Sequence, residues 1–466
     1  MVIILMPWAL WKVPQWQVEP LQQQIDALRS PTSKASMPRS KPVDPEKIAA
    51  LEKSRIDAEN ATRSWLIQGV VGIFAAATAF IAWLNYQATQ EKQVAERFSK
   101  SIEQLGSDNI HVRLGGIYAL EQIAKDAEEK YYWQVMETLT AYAREKSPYP
   151  PKTEKKSTSF IQVALQKVEG DNFASQPNIP PLPLDIQAVL TLLARRKHTY
   201  GHKLEPHRLN LRAVDLRRLH LPPTAQLRSA DLSGSSLQQA ELAGINFQQA
   251  ELSDANLQQV ELTGANLQEA KFCSANLQWA KLCEANLRQA KLQGADLQGV
   301  TLLRSNLYQA CLVQACLISA HLTGANLKQA ELEGANLQDA RLWFANLAEI
   351  NLIQANLQNA DLIGTNLQEA DLREANLQSA FLMGANLRGV SFVEANLEQV
   401  RFAWPGLQRE IGFKGLIPDR YRFDRPAKRL AWSQLQQAKS YKGAVLPYYL
   451  LKQPQSTQAG KDKSPR

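Results

Sequence analysis

Every fifth residue is hydrophobic along the second half of the chain. From Leu227 to Phe402 this spacing never slips, and each central position is Leu except for four, which are Phe247, Phe272, Phe392 and Phe402. On an α-helix, five residues turn the chain by about 500°, so successive central residues would lie about 140° apart. On a β-strand, an odd spacing would place them on alternating faces. Neither element buries this pattern, so the chain must turn once in each repeat.

A second pattern surrounds each central position. The residue two positions earlier is Ala in most repeats, and Ser, Thr, Val or Ile in the others. Residues two apart share one side of an extended segment, so the central and the small residue both point inward. A turn in every repeat then closes a four-sided coil of four repeats, and the block from 227 to 402 builds nine such coils.

Asn often precedes the central residue, and it recurs at intervals of ten residues, which is half a coil. These Asn residues are therefore predicted to form two ladders on opposite faces, where their amides bond to one another and to the turn backbones. We expect a structural role for the ladders. The other two faces vary in sequence, so a functional surface is expected there.

The repeat unit A-[N/D]-L-x-x, written here as "ANLQQ", "ANLQE" and "ADLQG", resembles the motif of the pentapeptide-repeat family. That resemblance implies a right-handed quadrilateral β-helix. The stretch "ERFSKSIEQLGSDNIHVRLGGIYALEQIAKDA" is similar to a module of membrane-anchored bacterial members, notably cyanobacterial ones. The expected fold class is therefore an all-β solenoid with an N-terminal transmembrane helix and a small α-helical module.

Residues 65–84, "WLIQGVVGIFAAATAFIAWL", contain no charged side chain. As a helix they reach about 30 Å, the thickness of a hydrocarbon core. Trp65 and Trp83 stand at the two ends, where a membrane interface favours indole rings. We predict a transmembrane helix, and a buried helix of a soluble protein is the alternative. Residues 1–16 are also apolar, but Pro7, Lys12 and Pro14 interrupt them, so they are expected at most to lie at a membrane interface.

The remaining organisation follows from composition. Leu211, Leu216 and Leu221 predict an irregular first coil, after which Pro222 and Pro223 shift the register by one residue. A helix at 184–198 and a helical stretch at 429–439 are expected to cap the two open ends of the coils. The predicted divisions are an N-terminal apolar stretch, linker and juxtamembrane helix at 1–64, the span at 65–84, a helical module at 85–146, a Pro- and Lys-rich linker at 147–183, an N-terminal cap at 184–226, the repeats at 227–402, and a basic C-terminal cap and tail at 403–466.

Charge and cysteines bear on partners and location. The net charge is +8, but the repeats hold 11 Lys and Arg against 18 Asp and Glu, which argues against a nucleic-acid partner. The four cysteines show no CxxC spacing, so no zinc site is expected, and unpaired thiols favour a cytosolic location of the repeats. Against this, nine Lys and Arg precede the span and resist export of the N-terminus, which favours the opposite orientation.

Little in the chain indicates catalysis. It contains no phosphate-binding loop, no G-x-G-x-x-G motif after a strand, no H-E-x-x-H and no G-x-S-x-G. Three histidines, His198, His202 and His207, are close in sequence, but no carboxylate or cysteine completes a convincing metal set. We therefore expect residues 195–207, "RRKHTYGHKLEPH", to form a polar connector. The neighbouring cations Arg195, Arg196 and Lys197 could equally bind acidic lipid headgroups. We predict no enzyme, no metal and no cofactor.

The variable faces contain one apolar column. Residues one coil apart stack directly, so Trp343, Ile363 and Met383 are expected to form an outward patch, flanked by Phe344, Phe381 and Trp404. Such a patch marks a protein interface, or it is covered by the C-terminal cap. The leading prediction is a membrane-tethered, non-catalytic scaffold for a protein partner. The alternatives are a DNA-mimic protein that binds topoisomerases, as the family resemblance suggests, and a structural membrane organiser that self-associates as a homo-oligomer.

Overall fold

The computed structural model describes residues 2–29, 44–150, 179–403, 427–447 and 450, with side chains from residue 12 onward. The chain divides into two compact units, Met1–Glu96 and Arg97–Arg466. Each unit has its own internal packing. The predicted site residue Trp404 lies outside the described residues.

The first unit is a pair of long helices. Helix α1 spans Val2–Arg29 and continues through three prolines, while α2 spans Pro45–Leu105 and extends into the second unit. Val18 and Ile25 of α1 are buried between them. Among the described residues, α2 is the one helix long and apolar enough to cross a membrane, and its apolar stretch is exposed to the surroundings.

The second unit begins with a small helical module. Helices α3 (Ile110–Asp126), α4 (Glu128–Lys146) and α5 (Leu184–Ala194) pack on one another. The side chain of Asn109 caps α3 by accepting a bond from the backbone N–H of His111. The helix predicted at 184–198 ends earlier than expected, because the carbonyl of Ala194 accepts a bond from the Gln226 backbone and the chain turns there toward the coils.

The repeats form the expected four-sided coil. Bridges between residues 20 apart join each coil to the next, as in Asn256 with Asn276 and Asn276 with Asp296. Every central residue from Leu227 to Phe402 is fully buried. Each side holds a single-residue parallel bridge, and the described residues contain no extended β-strand, because the chain turns again directly after every central residue.

One turn type makes every corner of the coil. The backbone N–H three residues after the central residue donates to the carbonyl of the central residue, as in Ala250 to Phe247 at 2.9 Å. The second turn residue has positive φ in all repeats from Ser229 to Gln399. These features define a type II turn, which explains why this position is often Gly, Gln, Glu, Asp or Ser.

Both ends of the coils are covered within the second unit. The first coil pairs with the next at a spacing of 21 residues, as in His220 with Glu241, which confirms the shift at Pro222 and Pro223. Residue Pro148 and helix α5 bond to this first coil. At the other end, residues 427–447 add one more coil, and only Trp432–Gln436 is helical (α6). The helical stretch predicted at 429–439 is therefore shorter, because its flanking residues pair with the repeats, as Ser440 does with Asn396.

Candidate functional site

Asn ladders occupy two opposite faces of the coil, as predicted. On one face, the Nδ2 of Asn346 donates to the Oδ1 of Asn326 at 3.2 Å, and the Nδ2 of Asn366 donates to Asn346 at 3.1 Å. The Oδ1 of Asn346 also accepts a bond from the backbone N–H of Ala348 in the turn. The opposite face repeats the arrangement at Asn356, Asn376 and Asn396. These amides are used within the fold, so recognition chemistry must come from other positions.

Replacing Asn346 by Ala is expected to loosen the three neighbouring coils. The substitution removes two ladder bonds and one turn bond, and each is worth about 1 kcal/mol, so the local opening free energy should fall by about 2–3 kcal/mol. Hydrogen–deuterium exchange of the backbone amides near Asn326, Asn346 and Asn366 measures this loss.

The matched control is Asn351→Ala on a variable face. The Oδ1 of Asn351 accepts a turn bond from the Ile353 backbone, so this variant tests the turn contribution of about 1 kcal/mol outside the ladder. Equal acceleration of exchange in both variants would show that the ladder bonds add no stability.

The apolar column predicted on a variable face is only partly open to a partner. Its residues do stack one coil apart, but Ile363 is 8% exposed and Met383 is 1% exposed. The side chains of Trp343, Phe344 and Phe381 are half-buried. The outward surface of this column therefore consists of three aromatic side chains, and its role in partner binding remains a prediction.

Charged side chains border these aromatics. Burial raises the pKa of Asp361, and the interaction of its carboxylate with the Trp343 indole opposes the rise. The guanidinium of Arg401 lies over the ring of Phe381, 5.0 Å from its centroid. The aromatic side chains of this column therefore lie beside the charged groups of Asp361 and Arg401.

An aromatic corner that was not predicted from the sequence is more exposed. Trp279 is 55% exposed, and Leu303 in the next coil is 37% exposed. Trp279 occupies the turn position of positive φ, with φ of 59°. Its indole lies on Gly299, one coil further, where an added Cβ would overlap the ring. We call Trp279 and Gly299 the tryptophan corner.

The same arrangement recurs at Phe344, whose ring lies on Gly364, where a Cβ would come within 2.6 Å. The sequence signal for such a corner is an aromatic residue at the second turn position followed by Gly one coil later. The hydrophobicity of a face does not reveal this signal, because the signal depends on the turn position.

A shallow groove lies on the helical module. It has a volume of about 620 Å³, and its floor is formed by apolar side chains of the α2 end and of α4. Polar and charged residues of α4 surround it. The residues that line the floor include Phe98, Ile102, Leu105, Ala141 and Tyr142.

The three histidines do not form a metal site. His198 bonds to Glu128 at 2.7 Å and stacks on His202, whereas His207 contacts Trp133. Among the described residues, no group of three or more His, Cys, Asp or Glu could hold a metal ion. The hydrogen bond from His198 lowers the pKa of Glu128, so the cluster ties the connector to α4.

Arg196 is not available to lipid headgroups. Its side chain is fully buried and bonds to Glu205 at 2.7 Å. It also donates to the backbone carbonyl of Arg228 in the first regular coil. Burial raises the pKa of Glu205 to about 6, and the attraction of Arg196 only partly offsets this effect. Of the three cations at 195–197, Arg196 is therefore excluded as a ligand of lipid headgroups, because its side chain joins the connector to the coils.

Comparison with known proteins concerns the repeats. Residues 225–403 match the family model "Pentapeptide repeats" in 8 copies. HetL, a pentapeptide repeat protein involved in heterocyst differentiation regulation from the cyanobacterium Nostoc sp. strain PCC 7120, is 35% identical over 41% of this chain and 88% of its own, with a TM-score of 0.28.

Two further solved structures are similar to parts of the chain. QnrB1, a plasmid-mediated fluoroquinolone resistance protein, is 18% identical over 39% of this chain and 87% of its own, with a TM-score of 0.29. Rfr23, a pentapeptide repeat protein from the cyanobacterium Cyanothece 51142, is 36% identical over 21% of this chain and 58% of its own, with a TM-score of 0.11. No curated protein matches the chain.

Proposed function

Because this chain belongs to the pentapeptide-repeat family, we propose that it is a membrane-tethered, non-catalytic scaffold whose repeats bind a protein partner. The family fold is a right-handed β-helix, in which the interior is generic and only the outward side chains differ between coils. A specific partner must therefore recognise the outward side chains. Trp279 of the tryptophan corner is the most exposed large hydrophobic side chain in the repeats from 227 to 402.

The exposure of Trp279 carries the proposal. A side chain other than Gly in the left-handed region costs about 1–2 kcal/mol, and most repeats here use Gly or a polar residue at this position. The indole nevertheless remains 55% exposed, and this uncovered apolar surface is available for burial by a partner. Exposed Trp residues that bind a partner supply a large share of the binding energy. We therefore place the centre of the docking surface at the tryptophan corner, and Trp343, Phe344 and Phe381 form its second candidate edge.

The proposed tether is the apolar stretch 65–84 within α2. Its length matches a hydrocarbon core, and its side chains are exposed along their whole extent beyond Val70. The repeats carry four free, partly exposed cysteines, Cys273, Cys283, Cys311 and Cys316, which supports placing them in the reducing cytosol.

The Trp279→Glu variant tests the docking surface. Full-length protein is crosslinked in its native membranes, and the proteins attached to the repeats are quantified for the wild type and the variant. We expect a partner bound through this corner to lose at least about 2 kcal/mol of affinity, or about 30-fold in crosslinking at limiting concentration.

Gln259→Glu is the matched control, because Gln259 occupies the same corner one coil earlier, is exposed and has φ of 57°. It adds the same charge without removing the indole, so the partner should be retained. An identical set of crosslinked proteins in both variants would exclude the corner as the docking site. A crosslinked product that contains only this chain would instead support the self-associating organiser.

A further inference from the structure

The two helices of the first unit pack in an antiparallel register. The Oγ1 of Thr62 donates to Gln17, and a guanidinium nitrogen of Arg55 donates to Gln22 at 2.9 Å. Arg29 pairs with Glu52 nearer the loop between the helices. Residues nearer the beginning of α1 therefore contact residues nearer the C-terminal end of α2. Along the axis of α2, the same rise per residue brings Val13 to the level of about residue 66 and Val2 to the level of about residue 77.

The seam between the helices enters the apolar stretch of α2. Shielded positions on α1 recur at spacings of three and four, as in a coiled coil. Those on α2 recur in the same way and continue to Leu66 and Val70, which lie inside the stretch 65–84. From Val71 to Gln93 every side chain is exposed. The shielded positions are Pro14, Val18, Leu21, Ile25 and Leu28 on α1, and Leu51, Arg55, Ala58, Thr62, Leu66 and Val70 on α2.

We propose that residues 2–13 of α1 insert into the lipid leaflet that surrounds the first part of the α2 span. The membrane element then contains the α2 span together with residues 2–13 of α1. This inference rests on the proposed membrane tether, and it specifies which further surface of the chain contacts lipid.

The composition of α1 fits this placement. The stretch "VIILMPWALWKV" carries one charge, Lys12, which the register places beside about residue 67, close to the start of the span. A lysine at that depth can extend its ammonium group to the interface. As a helix, these residues rise about 18 Å, which is more than half of a hydrocarbon core of about 30 Å.

Two tryptophans mark the expected water boundary at one level. Trp16 on α1 lies at the level of about residue 63 by the same register, and Trp65 lies two residues further on α2. Both indoles are exposed. Trp residues concentrate at the headgroup level of membranes, so the two helices cross the boundary together. Polar contacts between the helices occur before this level, from Arg29 to Gln17.

The depth of each helix can be measured with single-cysteine variants of the full-length protein, after the four native cysteines are replaced by Ser. A nitrobenzoxadiazole label is placed at Ile4→Cys in α1, at Ala76→Cys at the same expected level of α2, and at Gln23→Cys in the exposed polar part of α1. Each variant is reconstituted in phosphatidylcholine vesicles with and without bromine on the acyl chains. We expect the labels at positions 4 and 76 to lose fluorescence in the brominated vesicles, and the label at position 23 to be unaffected.

The outcomes separate the two proposals. Quenching at position 76 without quenching at position 4 would contradict the insertion of residues 2–13 into lipid, and the proposed membrane tether would remain. Absence of quenching at both positions would contradict the tether itself, and with it the inserted helix. Quenching at all three positions would contradict the proposed boundary at Trp16, because position 23 should remain in water.

Discussion

Replacing Leu322 by Asp is expected to open the coils around residue 322 and to leave the coils at both ends folded. Leu322 is fully buried, and the interior of each coil holds only central and small residues. A carboxylate placed there has no partner, so the local free energy of unfolding should fall by more than about 5 kcal/mol. Each coil contacts only its neighbours along the stack, so the loss should remain local. Limited proteolysis of the full-length protein should therefore cut first near this coil.

Thr323→Asp is the control for this prediction. Thr323 is the next residue in the chain and points outward, so the same charge is introduced in water and should change stability by less than about 0.5 kcal/mol. Loss of protection along the whole repeat block in Leu322→Asp would show that the coils unfold as one cooperative unit. That result would contradict the nearest-neighbour description.

Asp185→Ala is expected to release the three helices of the helical module from one another. Asp185 is buried at the start of α5, where it accepts bonds from Arg113 of α3 at 2.8 Å and from Tyr142 of α4 at 2.6 Å. The substitution removes two hydrogen bonds to a charged group, each worth about 1.5–3 kcal/mol, and it leaves the Tyr142 hydroxyl without its acceptor. Hydrogen exchange of α3 and α4 should accelerate by at least about 100-fold.

The pH dependence has a defined sign. Burial alone would raise the pKa of Asp185, but the hydrogen bonds from Tyr142 and Arg113 lower it below its ordinary value. A lowered carboxyl pKa contributes stability above the unfolded-state pKa, near 3.9, and this stability is lost as the pH falls further. The wild type should lose protection of α3 and α4 at such acidic pH, whereas Asp185→Ala should lack this component.

The matched control is Asp126→Ala, which removes an exposed ion pair of the same module. Asp126 lies 3.4 Å from Arg97, and both side chains are largely in water, so the expected loss is below about 1 kcal/mol. Similar exchange in the two variants would contradict the role of Asp185 as the junction of the three helices.

The sequence predicted most of what depends on local repetition. A central residue at every fifth position leaves one arrangement that buries all of them, and the coil, its turns and the Asn ladders follow from that requirement. The extra residue at Pro222 and Pro223 was also visible, because an insertion shifts an otherwise constant spacing. The position of the apolar stretch in α2 needed only length and composition.

Other features were decided by contacts between residues distant in sequence, which composition and spacing do not reveal. Met383 is buried although its turn position points outward, whereas Trp279 remains 55% exposed with its ring lying on Gly299, one coil later. Arg196 turns inward because Glu205 and the Arg228 carbonyl offer it partners.

One physical reason separates the features that the sequence predicted from those that only the tertiary structure decided. The sequence by itself determined the coil, since its core repeats and each repeat meets the same surroundings. Only the tertiary structure decided which outward side chains remain accessible and how the ends are joined, because each of those side chains meets a neighbour that occurs once. The same holds for α1, which forms a helix through Pro7 and Pro14 and packs along one face of α2.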